Sequence, residues 1–255
     1  MAWGIGSNDV ANAMGTSVGA KALTLAGAIV VACVFEFAGA YLAGGEVTET
    51  IRKGIIDPSL LADTPHYLVY GMLSSLLAAG IWLLVASLFG WPVSTTHSII
   101  GAIVGFSAVC IGSEFVVWGK VGSIVSSWVV SPVLAGTISF GIFKSVQVLI
   151  LDWPDQFQRA QKFIPGYIFL VGFVICMVTL LKGLKHVGIQ FSVAESLAMA
   201  AAFGAFLAVV GRFLISRIKE TADGGRQGKH SDLEKVFAVL MVFTACSMAF
   251  AHGSN

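Results

Sequence analysis

The sequence predicts an all-α membrane protein, a polytopic helix bundle with re-entrant or broken helices. Two features of its composition and one of its patterning carry this prediction. Apolar residues make up 56% of the 255 residues, and mean hydropathy is +0.87. Charged residues make up 11%, against about 25% in soluble domains. The apolar residues also fall into several long runs separated by Gly, Pro and charged clusters, the pattern of helices that cross a bilayer. The net charge of +1 points to no nucleic-acid or acidic partner. Cys33, Cys110, Cys176 and Cys246 each lie inside an apolar run, without a CxxC or Cys/His cluster, so neither a disulfide framework nor a zinc site is expected. The first residues lack the basic and apolar regions of a signal peptide, and Met1 reads as an internal Met of a longer chain.

Taken in order, residues 22–43 are long enough to span a hydrocarbon core of roughly 30 Å as a helix, with Glu36 the one charge inside. Residues 44–67 are a polar connection. Residues 68–90 form a second span, which Trp91-Pro92 breaks. An apolar run then opens at Val93-Ser94-Thr95-Thr96-His97-Ser98 and continues to about Ile111; it reads as a short span or a re-entrant half-helix. Residues 123–150 form a long span, kinked or broken at Pro132. Residues 166–181 and 193–216 are further spans, with 151–165 and 182–192 as short polar connections. Residues 236–251 begin the last span. The stretch 217–235 is the most polar. It holds Arg217, Lys219, Arg226, Lys229 and Lys235 and is expected on the cytoplasmic side as a linker loop.

Gly6–Ala13 (GSNDVANA) concentrates polar groups in an otherwise apolar chain. In a helix Asn8 and Asn12 share a face with Asp9 beside them. An ionised Asp at membrane depth is tolerated where it meets water, a cation or a partner. Oxygens of Asp9, Asn8 and Asn12 suit a hard cation such as Na⁺, while the amides offer N–H donors to an anion. Gly6-Ser7 before them suits a broken helix whose exposed N-terminus faces that anion. Ser7 or Asn8 also reads as a helix cap. The motif's opening recurs: residues 1–8 read MAWGIGSN and residues 248–255 read MAFAHGSN. The hydroxyls of Ser94, Thr95, Thr96 and Ser98 fit two readings equally, an oxyanion cradle at a helix start or an N-cap with back-bonded hydroxyls. Glu36, an intramembrane acid, is a site candidate without an assigned partner. Gly15-Thr16-Ser17-Val18-Gly19 matches G-x-S-x-G, but its helical flanks do not suit a nucleophile elbow. This stretch and Gly101/Gly105 are expected to permit close helix packing. No enzymatic activity is expected.

The chain resembles the inorganic phosphate transporter (PiT) family. The resemblance rests on GSNDVANA with Gly15–Gly19, the Phe35-Glu36 segment, Glu49–Asp57, PVSTTH, Ser126–Trp128 with Ser131-Pro132, and Ala251–Asn255, in that order. It implies one half of an inverted-repeat transporter that carries inorganic phosphate by symport with Na⁺, with a proton-coupled phosphate or sulfate permease as the alternative. Residues 1–216 would be the first repeat, 217–235 the linker and 236–255 the start of the second. The implied phosphate contacts are Ser7, Asn8, Asn12, Ser94, Thr95, Thr96, Ser254 and Asn255. The implied cation ligands are Asp9, Asn8, Asn12 and Glu36, with Na⁺ at Asp9 and Asn12. The second motif would complete the site beyond Asn255, so these residues alone are not expected to transport. No cofactor is implied. The implied partners are phosphate, Na⁺ or H⁺, the lipid bilayer and a second copy in a homodimer, with no nucleic acid. The implied location is the plasma (inner) membrane, as a multi-pass protein.

Overall fold

The computed structural model describes residues 1–44, 55, 65–181, 183–184, 191–220 and 226–254, with backbone alone at 226–231. Asn255 and most of the Glu49–Asp57 stretch lie outside these residues. The described residues form eight α-helices: α1 Ala2–Gly19, α2 Leu25–Ala43, α3 Pro65–Phe89, α4 Thr95–Phe106, α5 Trp118–Val146, α6 Gln156–Leu181, α7 Val193–Ser216 and α8 Arg226–Gly253. A wide π-type turn extends α4 over Ser107–Ile111, and another extends α5 over Gln147–Leu151. Six helices (α2, α3 and α5–α8) are long and apolar enough to cross a membrane. Large apolar side chains such as Phe37, Leu88, Val129 and Phe140 point outward. That outward surface suits lipid rather than water. The protein is therefore an all-α, multi-pass integral membrane protein.

The chain folds into two compact units. The first comprises Met1–Ala13 and Gly45–Val133. Here α3 buries Gly71, Ser75, Ala79 and Leu83, a stripe at four-residue spacing. Ile99, Ile100 and Ile103 of α4 pack on Ala79 and on Ile55. Gly4 of α1 lies against Leu83, so close that a methyl group there would stand 2.9 Å from the Leu83 Cβ.

The second unit comprises Met14–Gly44 and Leu134–Ser254. Its central pair is α6 with α7. The buried stripe Ala160, Ile164, Ile168 and Gly172 of α6 meets Ser196, Ala200, Gly204 and Gly211 of α7. Small residues every fourth position let the two backbones approach, the usual solution where lipid supplies no hydrophobic drive between helices. At Gly204 a Cβ would lie 2.8 Å from the Phe169 carbonyl oxygen. The approaches of Gly172 to Gly204 and of Gly211 to Ile168 fix the pair as antiparallel. Ser192 and Glu195 form a reciprocal capping box at the start of α7, with Glu195 N donating to Ser192 Oγ at 3.2 Å and Ser192 N to Glu195 Oε2 at 2.8 Å. In the same unit α2 and α8 cross backbone to backbone, with Gly39 on the Phe250 carbonyl and Gly253 on the Glu36 carbonyl.

Several expectations are corrected. The first motif does not open a broken helix: α1 runs unbroken from Ala2 to Gly19 with the motif inside it. Nor does Ser7 or Asn8 cap it. Ser7 Oγ instead bonds back to the Gly4 carbonyl at 3.1 Å. Residues 156–165 are not a connection but the first turns of α6. Burial of Ala160 and Ile164 outweighs their polar neighbours and the interior Pro165. The helix α5 is not broken at Pro132 but continues through it. The final helix begins at Arg226, inside the stretch expected as a loop. An added Cβ at Gly15, Gly19, Gly101 or Gly105 would meet nothing within 4 Å, so these glycines do not serve close packing here. The run after Pro92 folds as α4 with its π-type extension, Thr95–Ile111, about 25 Å long against a roughly 30 Å core, a length that suits a short span or a re-entrant half-helix alike.

Candidate functional site

The geometry follows from how α3 stops. Gly90 takes a left-handed φ of +68°, which costs a residue without Cβ nothing. Gly90 N then bonds to the Ser87 carbonyl at 3.2 Å and Trp91 N to the Ala86 carbonyl at 2.8 Å, closing the helix end. Pro92 follows, and having no N–H it cannot continue the ladder. Ser94 is extended, with φ −89° and ψ 121°, and its Oγ accepts from His97 N at 3.3 Å. Ser98 Oγ donates back to the Ser94 carbonyl at 2.7 Å. Ser94 and Ser98 thus act as an N-cap and a back-bonded hydroxyl.

Between these two helix ends lies an extended connector whose backbone groups need partners. Asn8 of α1 supplies them. Its Nδ2 donates to the Trp91 carbonyl at 3.0 Å, and its Oδ1 accepts from Val93 N at 3.4 Å. Asn12 Nδ2 donates to the same Oδ1 at 3.2 Å, so both lone pairs of that oxygen are used. Asn8 is only 6% exposed. At the next residue of α1, Asp9 Oδ2 accepts a hydrogen bond from Thr95 Oγ1 at 2.8 Å. Ser7 Oγ lies 3.0 Å from Ser87 Oγ, tying α1 to α3. The His97 ring sits on Trp128 of α5 with centroids 4.1 Å apart.

The first unit therefore brings together Ser7, Asn8, Asp9, Asn12 and Thr95, with Ser94 and Thr96 on either side of Thr95. Asp9 and Thr96 are partly exposed and Asn12 is exposed. The second Asp9 oxygen, the Thr95 oxygen and the exposed amide of Asn12 form an oxygen-rich rim beside amide and hydroxyl donors. Such a rim can take a hard cation and an oxyanion side by side.

Glu36 and Ser254 belong to the second unit. Gly253 lies on the Glu36 carbonyl, and Glu36 Oε1 is buried. Ser254 Oγ donates to the Ala251 carbonyl at 2.7 Å, the same three-residue back-bond that Ser7 makes to Gly4. Sequence reasoning did not find Ser87, the Trp91 carbonyl or the Val93 N–H. The one available signal was Pro92, whose missing N–H leaves a connector in need of outside hydrogen bonds.

Comparison with known proteins places the chain in a family. A family model described as "Phosphate transporter family" matches residues 5–255. A Haemophilus influenzae protein named "Putative phosphate permease" is 50% identical over 258 residues, covering 100% of this chain and 60% of that protein. The "Inorganic phosphate transporter 2-1, chloroplastic" of Arabidopsis thaliana is 38% identical, covering 100% of this chain and 46% of the relative. A solved structure named "The sodium-dependent phosphate transporter" superposes with a TM-score of 0.89 at 38% identity, covering 100% of this chain and 61% of that one. The chain thus spans less than two thirds of the length of these relatives.

Proposed function

The chain belongs to the phosphate transporter family, and from that premise we propose that it forms part of a secondary active transporter carrying inorganic phosphate across a membrane by symport with Na⁺. The observation that carries the site assignment is the Thr95–Asp9 hydrogen bond, which joins the acid of the first motif to the hydroxyl cluster of the second. Sodium coupling is supported by the superposing structure, a sodium-dependent phosphate transporter, and by the oxygen-rich rim at Asp9, Asn12 and Thr95.

In this reading Asp9 and Asn12 hold Na⁺. Asn12, Thr95 and Thr96 contact phosphate, and the family resemblance assigns Ser254 and Asn255 to the same ion. Ser7, Asn8 and Ser94 position these groups through the bonds they already make. The family resemblance also assigns Glu36 to the cation. In the same proposal residues 1–216 make up one repeat and 236–255 open the next, a division that rests on the recurrence of MAWGIGSN as MAFAHGSN. A plasma-membrane location and a homodimer belong to the same proposal and rest on the family resemblance.

The physics of coupling is simple. Phosphate enters a low-dielectric site at a desolvation cost that donors alone do not offset. A cation held beside it by Asp9 lowers that cost, so each ion favours binding of the other. Joint occupancy then biases an exchange of the repeats between inward- and outward-facing states. The test is uptake of radiolabelled phosphate by the complete protein in proteoliposomes, in sodium and in choline buffer across pH. Asp9→Asn should abolish sodium-dependent uptake while the protein still reaches the membrane; undiminished uptake overturns the assignment. Equal uptake in choline that follows the proton gradient favours proton coupling instead.

A further inference from the structure

At one end of the α6–α7 pair lies a groove outside the site described above. Its walls are two matching sets of side chains. Gln158, Gln161 and Lys162 come from the first turns of α6, and Arg212, Ile215 and Ser216 from the last turns of α7; the groove has a volume of about 280 Å³. Each set follows i, i+3, i+4 spacing, so each is one helix face. Because the helices are antiparallel, the two faces meet at the same end. A hydrogen bond from Gln161 Nε2 to the Ile218 carbonyl, 3.2 Å, closes the groove there. Buried Ile215 is its floor.

Lys162 and Arg212 stand on opposite walls, and among the described residues neither has a carboxylate partner. Among the described residues no acid lines the groove. Asp155 is held by Arg159 at 3.0 Å and Asp232 of α8 by Lys235 at 2.8 Å. Ser216 Oγ spends its proton on the Phe213 carbonyl. The donors left are therefore the Lys162 ammonium, the Arg212 guanidinium, the Gln158 amide and the second N–H of Gln161. That set carries two positive charges and no carboxylate, and its amide and guanidinium N–H groups suit a tetrahedral oxyanion.

The location selects the source of that oxyanion. At 26 residues, α6 is about 39 Å long, longer than a roughly 30 Å core, so its first turns stand at headgroup depth. Cation–aromatic pairs mark the same level, with Arg159 over Trp153 at 3.8 Å and Arg217 over Phe213 at 4.6 Å. Toward the bilayer centre, α7 exposes Phe213, Val209 and Phe206, a surface for acyl chains.

We infer that this groove binds the phosphate headgroup of an acidic phospholipid, with Lys162 and Arg212 clamping it from the two helices. The test is titration of fluorescent phosphatidylglycerol into the complete protein in phosphatidylcholine nanodiscs. Lys162→Gln or Arg212→Gln should weaken binding about fivefold each, and the double variant about thirtyfold, from the usual worth of one basic residue at an anionic surface. Arg217→Gln, whose guanidinium lies over the Phe213 ring and does not line the groove, should change binding less than about twofold, since a neighbouring charge makes no headgroup contact and is screened. If it matches Arg212→Gln, diffuse surface charge is responsible and the site is refuted. Unchanged binding by the double variant refutes it too. Millimolar inorganic phosphate should not displace the lipid; displacement would assign the groove to free phosphate and overturn the lipid reading. Should the double variant not fold, Gln158→Glu, at an exposed position, places a negative charge on the groove wall and should weaken binding by the same mechanism.

Discussion

Asn8 is the residue on which the first unit turns. Its amide replaces the helical bonds that Gly90 and Pro92 interrupt. It does so from a buried position, so water cannot take over its role. Asn8→Ala leaves the Trp91 carbonyl and the Val93 N–H unpaired, a cost of about 1–3 kcal/mol. Thermal unfolding of the complete protein in detergent should therefore shift to lower temperature for Asn8→Ala. It should shift much less for Asn12→Ala, because Asn12 is exposed and contributes one bond. Equal shifts would mean that Asn8 does not brace the connector. Thr95 works at the same scale in another way. It carries no scaffold bond of its own and spends its hydroxyl on the Asp9 carboxylate, which makes it the link between two motifs rather than part of either helix's capping.

Among the elements, α6 and α7 show how a helix pair holds in lipid. Close approach at Gly204 leaves no space for a side chain against the Phe169 carbonyl. Gly204→Val should cost about 1–3 kcal/mol through overpacking. Gly166→Ala in α6, where an added Cβ meets nothing within 4 Å, should stabilise by up to about 1 kcal/mol through helix propensity. Thermal unfolding of the two variants side by side checks this; a harmless Gly204→Val would mean that the pair does not pack at that point. The start of α6 is the element that sequence reading missed. Gln156, Gln158, Arg159, Gln161 and Lys162 look like a loop when averaged along the chain, and Pro165 strengthens that impression. Only the alternation of Ala160 and Ile164 with those polar residues marks the helix, and burial of both against α7 and α8 decides it.

For the whole molecule, the order of spans sets which loops share a side. The antiparallel α6–α7 pair puts residues 152–155 and 217–220 at one end and Phe191 at the other. With the positive-inside tendency, single cysteines introduced as Trp153→Cys and Lys219→Cys in the complete protein, its native cysteines replaced, should react with an impermeant maleimide only from the cytoplasmic face. Phe191→Cys should react only from outside. Labelling of Trp153→Cys and Lys219→Cys from opposite faces would overturn this topology. The sequence by itself determined the membrane class, the approximate spans, the break at Trp91-Pro92 and the repeat of the GSN motif. Each of these depends on about twenty neighbouring residues or fewer, and hydropathy and backbone chemistry act at that range. Tertiary structure decided the rest. It put the first motif inside a continuous helix, used Asn8 to brace a connector 85 positions away, and joined Thr95 to Asp9. It also laid Gly253 on the Glu36 carbonyl. The reason is physical: a side-chain amide or hydroxyl carries the same hydrogen-bonding capacity wherever it stands, and which partner it meets is fixed only when helices distant in sequence come together.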